Sequence, residues 1–335
     1  MRKYKPGWKT SISEVIPLPL KRNLLGRTGL EVTELCFGAL PMGPLQKNLP
    51  LAEGAALIAH ALRAGINFVD TAQAYRTYAP IREAMRSSGI RPAIASKSTA
   101  GTYAEMEAAI EEALRELAVE RIEIFHLHAA RVGPEVFAER AEALRCLLDH
   151  RARGIIGAVG ISTHDVRTVL AAAEHPEIDV VFPLYNREGR GILGGTVHEM
   201  AAAVRRSHEA GKGVYLMKVL AGGTLLESFG ESIAFVRDTV PYHAIALGMV
   251  TPGEVDYDLA FFAGRAPEGT PPSLDAGEKQ VLVVATLCRG CGTCLSTCPN
   301  AAITMMEGKA RIDPGICLRC GYCVPACPQF AIRVV

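Results

Sequence analysis

Eight cysteines packed between residues 288 and 327 constrain this chain more than any other feature. They form two runs, Cys288, Cys291, Cys294 and Cys298 before Pro299, then Cys317, Cys320, Cys323 and Cys327 before Pro328. Both read C-x2-C-x2-C-x3-C-P, and each continues into a short apolar stretch, AAITMM and FAIRVV. A stretch this small cannot bury a core of ordinary size, so bound metal is expected to supply much of its folding energy. Disulfides are the reading for an exported chain, but no apolar run follows the basic N-terminus Met1 to Lys9, and metal in a reducing compartment is expected instead. Zinc favours two separated pairs of ligands, which four-cysteine runs ending in proline do not provide.

The spacing is that of a [4Fe–4S] site, written twice. Residues 281–335 resemble a bacterial two-cluster ferredoxin. In that arrangement three thiolates of one run hold three corners of a cube and the fourth crosses to the other cube. Cys288, Cys291, Cys294 and Cys327 are therefore assigned to one cluster, and Cys317, Cys320, Cys323 and Cys298 to the other. Gly290, Gly292 and Gly321 are expected to let backbone amides approach the sulfides.

Upstream, short apolar runs alternate with amphipathic ones. The runs expected to be strands are 34–40, 66–72, 92–98, 122–130, 157–163, 179–186, 213–220 and 243–249. Each is mostly apolar, as a parallel strand buried on both faces must be. The clearest helix is Glu105 to Leu117, with Ala109, Ile110, Leu114 and Leu117 on one face. Eight alternations predict an α/β fold, a (β/α)8 TIM barrel, followed by a small α+β two-[4Fe–4S] ferredoxin-like domain. The alternative is an open doubly wound sheet, which would usually carry a G-x-G-x-x-G turn; Gly38, Gly43 and Gly54 do not form one. The expected division is a lead segment 1–30, the barrel 31–264, a Pro- and Gly-rich linker 265–280, and the cysteine domain 281–335.

In such a barrel the C-terminal strand ends converge on one mouth, where active sites sit. Asp70, Lys97, His128 and Ser162 end successive strands, and Tyr75 follows Asp70 by five residues. A tyrosine is a reluctant acid at neutral pH, with a pKa near about 10. A neighbouring Lys97 cation would lower it, Asp70 would hold Lys97, and His128 could donate to a carbonyl oxygen. The segments LGRTGLEVTELCFGALPMG (25–43) and GINFVDTAQAY (65–75) resemble the aldo-keto reductase family. So do Ser96–Lys97, the run IEIFHLH ending at His128, and VGIS at 159–162. The resemblance implies a catalytic tetrad of Asp70, Tyr75, Lys97 and His128, with Tyr75 the acid and nicotinamide at the mouth.

The implied nicotinamide contacts match less well. Ser162 and Thr163 stand where Ser-Asn is common, Phe182 where a Gln is, and Met217 where an aromatic stacks on the ring. Lys218 replaces a common Ser, and Glu254 stands where an Arg meets the 2′-phosphate. The expected cofactor-binding residues are thus Ser162, Thr163, Met217 and Lys218. A carboxylate at 254 repels a phosphate, so of NAD(P)H the NADH form, or another redox partner, is favoured over NADPH. Lys218, with Arg187 and Arg190 on the loop after the sixth strand, would make a cationic mouth suited to an anionic carbonyl substrate. Lys218 could also pair with Asp70. His126 is expected one layer deeper in the barrel, and Cys36 and Cys146 as buried small hydrophobes.

Lys plus Arg is 36 against 35 Asp plus Glu, so no overall field draws the chain to nucleic acid. No apolar stretch approaches the roughly 18 residues of a membrane span. The expected function is carbonyl/alcohol redox chemistry at the barrel mouth, linked to electron transfer through two [4Fe–4S] clusters. The alternative is an electron-transfer module whose barrel has lost hydride chemistry and docks the clusters to a partner redox protein. Hydride carries two electrons and a cluster one, and no flavin motif is visible to convert between them. The cytoplasm is the expected location.

Overall fold

The computed structural model describes residues 19–265, 267, 280–329 and 331–334. Most of the expected linker, 265–280, and the first eighteen residues of the lead segment lie outside the described residues.

A hairpin of β1 (Arg22–Leu24) and β2 (Glu31–Thr33) precedes eight strands that close into a parallel barrel. These are β3 (Leu35–Gly38), β4 (Phe68–Asp70), β5 (Ala93–Ser98), β6 (Ile122–Ala129), β7 (Ile156–Thr163), β8 (Val180–Pro183), β9 (Gly213–Met217) and β10 (Ala244–Gly248). Pairing runs in chain order and β10 closes on β3. Seven of the expected strands contain one of these, shortened where their ends turn into loops, and the eighth, 157–163, is extended by one residue to Ile156.

Parallel strands need crossover helices, and the helices α1 (Leu51–Arg63), α2 (Tyr78–Ser88), α3 (Tyr103–Leu117), α4 (Val136–Glu139), α5 (Ala141–Ala152), α6 (Val166–Glu174), α7 (Val197–Glu209), α8 (Phe229–Thr239) and α9 (Pro252–Phe262) supply them. Capping boxes at Thr102/Glu105 and Thr196/Glu199 start α3 and α7 by satisfying the first free amides from both directions. In α3 the fully buried residues Ala109, Ile110, Ala113 and Leu117 face the sheet. The layer between sheet and helices is one continuous apolar core.

Inside the barrel a second core holds Cys36, Phe68, Ile124, Val180, Phe182 and Tyr215. Leu25 and Val32 join it from the hairpin, so the end of the lead segment is the floor of the barrel. Asn23 fixes that floor by donating to the His243 carbonyl at 2.7 Å.

The C-terminal domain is two half-motifs. Strand β11 (Val281–Val283) precedes the first cysteine run, α10 (Thr293–Thr297) lies within it, and β12 (Ile303–Met306) turns antiparallel into β13 (Lys309–Ile312). Helix α11 (Cys323–Ala326) lies within the second run, and β14 (Ile332–Val334) returns to pair with β11. Its core is mostly the cysteines themselves with Ala302, Ile303, Ala310, Ala331 and Ile332. This domain docks on the barrel mouth. Arg131 donates to the Leu295 carbonyl at 2.8 Å, and Arg190 to the Gly315 carbonyl. Gly222, in the loop after β9, lies so close to the Leu318 backbone that a Cβ would sit 2.3 Å from its carbonyl oxygen. At Gly321 a Cβ would sit 1.9 Å from the Leu45 carbonyl oxygen.

Candidate active site at the domain junction

Strand register brings the polar side chains to the mouth in order. Lys97 of β5 lies opposite His126 of β6, and His128 opposite Ser162 of β7. Tyr75 ends a short 3-10 turn after β4, reversed by Arg76 in the left-handed region (φ 54°). The four tetrad residues are all buried.

Lys97 Nζ donates to both Asp70 oxygens, at 2.7 and 2.8 Å, and to the Thr71 carbonyl at 2.7 Å. Its three protons are thereby committed. Burial pulls both members of the pair toward neutrality, raising Asp70 and lowering Lys97, and each opposes this with its charge on the other. Tyr215 donates to Asp70 at 3.0 Å. The Tyr215 proton being used, His126 Nε2–H is the donor in the 2.7 Å bond between them. His126 is therefore a neutral support one layer below the mouth, as expected from its spacing. Cys36 and Cys146 are both buried.

The expected lowering of the Tyr75 pKa does not occur. Lys97 Nζ lies 4.8 Å above the Tyr75 ring centroid and has no proton left for the phenol. Burial, the adjacent Tyr322 and the Asp70 charge push the phenol well above its ordinary value. Tyr75 is thus held as a protonated donor. His128 is pushed down to about 3 by burial and by the charges of Lys97, Lys218 and Arg140, so it is a neutral imidazole at physiological pH.

Tyr322 is a residue that sequence reading missed. It sits between two cysteines of the second run, in C-G-Y-C, and its hydroxyl donates to the Tyr75 hydroxyl at 3.3 Å. The same hydroxyl is 3.5 Å from His128 Nε2. An oxygen held between the tetrad's acid and its imidazole stands where a carbonyl oxygen would be activated. Only the tyrosine's position inside a metal-ligand turn hinted at a role; the docking that brings it to the mouth has no local signature.

The cysteines line two cavities. Cys288, Cys291, Cys294 and Cys327 line one, and Cys298, Cys317, Cys320 and Cys323 the other. Among the described residues no three Cys, His, Asp or Glu converge as a single ion requires. Four thiols around each cavity suit a polynuclear cluster instead, and backbone amides of Ala302, Ala310, Arg319 and Ala331 donate to four of the sulfurs. Gly290 and Gly321 both have positive φ at close backbone approaches, Gly290 to the Gly308 carbonyl and Gly321 to the barrel. For Gly321 the observed reason is docking rather than sulfide access.

Of the expected nicotinamide residues, Ser162 keeps a buried hydroxyl without a hydrogen-bond partner at the mouth. Thr163 is occupied in the turn into α6, its hydroxyl accepting from the Asp165 amide at 3.1 Å. Phe182 is stacked on Tyr215 inside the barrel, ring centroids 3.8 Å apart. Met217 offers no aromatic platform, and Lys218 brings a cation beside a ring that is itself cationic when oxidised. Glu254 fills the N-terminus of α9 with its own carboxylate, which accepts from the Val250 amide at 2.6 Å. Leu318 and Asn300 of the docked domain lie against Gly191 and Gly222, in the loops after β8 and β9.

The two arginines expected at a cationic mouth are engaged elsewhere. Arg187 pairs with Glu231 at 2.6 Å and Arg190 holds the domain junction. Lys218 does not reach Asp70; its Nζ is 3.4 Å from His164 Nε2.

A closed parallel eight-strand barrel with Asp, Tyr, Lys and His at its mouth defines an aldo-keto type of barrel oxidoreductase. The chain belongs to the aldo/keto reductase family, whose model matches residues 34–246, and a 4Fe-4S dicluster domain matches residues 287–331. It is 26% identical over 219 residues to an L-galactose dehydrogenase of Arabidopsis thaliana, a match covering 61% of this chain and 66% of the relative. It is 27% identical over 182 residues to a 6-dehydroglucose reductase of Novosphingobium aromaticivorans, covering 48% and 57%. The chain thus spans under two thirds of the length of each of these relatives. Among solved structures, one from Pseudomonas aeruginosa described as an aldo-keto reductase superposes with TM-score 0.63 at 26% identity, covering 76% of this chain and 98% of that one. The holo form of a Bacillus halodurans aldo-keto reductase shares the fold at TM-score 0.57 and 18% identity, covering 77% and 96%. Among the described residues no helix is long and apolar enough to cross a membrane.

Proposed function

We propose that this chain interconverts a carbonyl and an alcohol at the tetrad, with electrons passing through the docked dicluster domain. One observation carries the reading: Tyr322, flanked by two cysteines of the second cavity, touches both Tyr75 and His128. When bound, the [4Fe–4S] clusters would supply electrons one at a time. Cys288, Cys291, Cys294 and Cys327 would hold one, and Cys298, Cys317, Cys320 and Cys323 the other. In the reducing direction the carbonyl π bond is replaced by a C–H and an O–H bond. That takes two electrons from an external one-electron carrier protein, oxidised twice, and two protons. Tyr75 delivers the proton to oxygen and is reprotonated from water, which also supplies the proton to carbon. His128 orients the carbonyl by donating from Nε2, and the Asp70–Lys97 pair fixes the cation beneath the phenol ring. The sugar substrates named for the two relatives are not carried over, since neither relative's identity exceeds 27%.

A second reading, the barrel as a mere dock for the clusters, is favoured by the same Tyr322, which fills the space over the tetrad. Tyr75→Phe separates the two. With cluster content unchanged, turnover supported by a reduced one-electron carrier is expected to fall at least about 100-fold, in the usual range for a lost general acid. Unchanged turnover would leave only the docking role.

A further inference from the structure

Within their own domain the two cysteine sites are built alike. Each receives two backbone amide hydrogen bonds on sulfur. In the first, Ala310 donates to Cys288 and Ala331 to Cys327; in the second, Ala302 donates to Cys298 and Arg319 to Cys317. Each also has a cation of the domain acting on a sulfur, Lys309 on Cys288 and Arg319 on Cys317. The barrel makes them differ. The first site keeps Cys291 exposed. In the second, Leu318 and Gly321 are pressed against barrel loops, Leu318 at Gly191 and Gly222 and Gly321 at Leu45. Cluster potentials follow sulfur hydrogen bonding, nearby charge and exposure to water, so like sites in unlike surroundings should not share one potential. A cluster gains a negative charge on reduction. Taking the second site out of water therefore disfavours its reduced form.

Lys218 opposes that effect. It stands at the end of β9, half-buried, in the left-handed region (φ 57°). Ala221, Gly222 and Gly223 of the same turn are also left-handed, at 47°, 72° and 101°. Such a run is strained for its non-glycine members, and here it lays the turn against the Leu318 backbone, between Cys317 and Cys320. Lys218 Nζ is 3.4 Å from His164 Nε2, and His164 is hydrogen-bonded to Asn300, which lines the second cavity. The ammonium is thus tied into the second site from the barrel side. Burial lowers its pKa, and the charges of Cys320, Cys298 and Cys317 oppose that by stabilising the cation. Lys97, the other lysine of the mouth, is committed to Asp70.

We propose that Lys218 is a tuning residue, supplied by the barrel, for the cluster held by Cys298, Cys317, Cys320 and Cys323: it raises the reduction potential of that cluster and so draws inward an electron delivered at the first. In that step one electron leaves the first cluster and one enters the second, and no bond is made or broken. Lys218 acts through the cluster's charge and touches no substrate. The inference therefore needs the two clusters but not the carbonyl chemistry proposed for the tetrad.

The test is an anaerobic redox titration of the two-cluster protein followed by EPR, on the wild type and on Lys218→Met. A soluble dysprosium chelate, which relaxes the signal of the more exposed cluster, tells the two apart. Lys218→Met is expected to shift the second cluster at least about 10-fold toward its oxidised form at a given potential, a fall of about 59 mV for one electron, and to leave the first unchanged. A substitution that merely loosened the junction would admit water and raise the potential, so the sign separates lost charge from lost packing. Lys218→Arg, which keeps the charge, should hold the wild-type value. Lys218→Gln should lower it as Lys218→Met does, and serves if the Met variant does not fold. An unchanged or raised second potential, equal falls in both clusters, or a fall in Lys218→Arg as large as in Lys218→Met would overturn the tuning role. If the second potential falls as expected while Tyr75→Phe keeps full turnover, the tuning stands and the tetrad chemistry falls.

Discussion

Gly222→Ala should release the dicluster domain from the barrel mouth without touching a cluster ligand. Gly222 has φ 72°, and a Cβ there would sit 2.3 Å from the Leu318 carbonyl oxygen, over 1 Å inside ordinary van der Waals contact at 3.4 Å. Two costs are involved. The first is left-handed strain, about 1–2 kcal/mol for alanine. The second is the clash, which backbone against backbone can relieve only by separating the two loops. Gly89 measures the first cost alone, because it has the same φ of 72° and nothing within 4 Å of its Cβ position. Both substitutions should lower global stability by about 1–2 kcal/mol through strain. Only Gly222→Ala should open the junction. Hydrogen exchange at the amides of residues 315–322, read on the protein with both clusters intact, is the assay. An increase of at least about 10-fold, equal to about 1.4 kcal/mol of lost docking, is expected for Gly222→Ala and none for Gly89→Ala. Equal protection in the two variants would show that the close approach at Leu318 does not hold the domain in place.

Asp70→Asn leaves Lys97 as an uncompensated buried cation, so denaturant unfolding should show a loss of about 3–5 kcal/mol, and Asp70→Asn with Lys97→Met should recover part of it. His128 is held at about 3, below its unfolded value of about 6.5, so the unfolded chain takes up the proton first. The stability this contributes is complete above pH about 6.5 and is lost as pH falls toward 3, at about 1.4 kcal/mol per pH unit. His128→Asn should therefore flatten the fall in unfolding free energy measured between pH 7 and 5. Cys327→Ser should remove the cluster held by Cys288, Cys291 and Cys294 rather than that of its own run, which iron content and EPR of the reduced protein would reveal. Loss of the cluster of Cys317, Cys320 and Cys323 instead would refute the crossed assignment.

The barrel was legible because its signals are local. Each strand is an apolar run with a period of its own, and each tetrad residue sits at or just past a strand end, so counting along the chain places them around one mouth. The cysteine spacing is equally local. What could not be read were facts about the junction. Whether Arg190 faces solvent or a carbonyl depends on where Gly315 lies, 125 residues away. The Tyr75 phenol shows the same limit. A lysine nearby in the fold suggested a lowered pKa, but the sign depends on whether that lysine has a free proton to offer, and Asp70 with Thr71 had taken all three. Lys218 was recognisable as a departure from a familiar pattern, yet its neighbours His164 and Asn300 come from a strand end and from the other domain.

The junction also orders the two clusters. The second cavity faces the tetrad through Tyr322, while the first lies toward solvent, with Cys291 exposed and Leu287 and Met306 40% and 57% accessible beside it. On the proposed chemistry, the first cavity is the one among the described residues that a one-electron carrier would approach. The second cavity is lined by Leu318 and Gly321, the residues whose backbones meet the barrel loops, and on the proposed chemistry it is the one that exchanges with the tetrad. An enclosed mouth serves this chemistry in a second way. It strengthens each charge in it, from the Asp70–Lys97 pair to Lys218. On the proposed chemistry, the docking that brings Tyr322 to Tyr75 and His128 also leaves the tetrad a buried acid, Tyr75, next to the second set of cysteines.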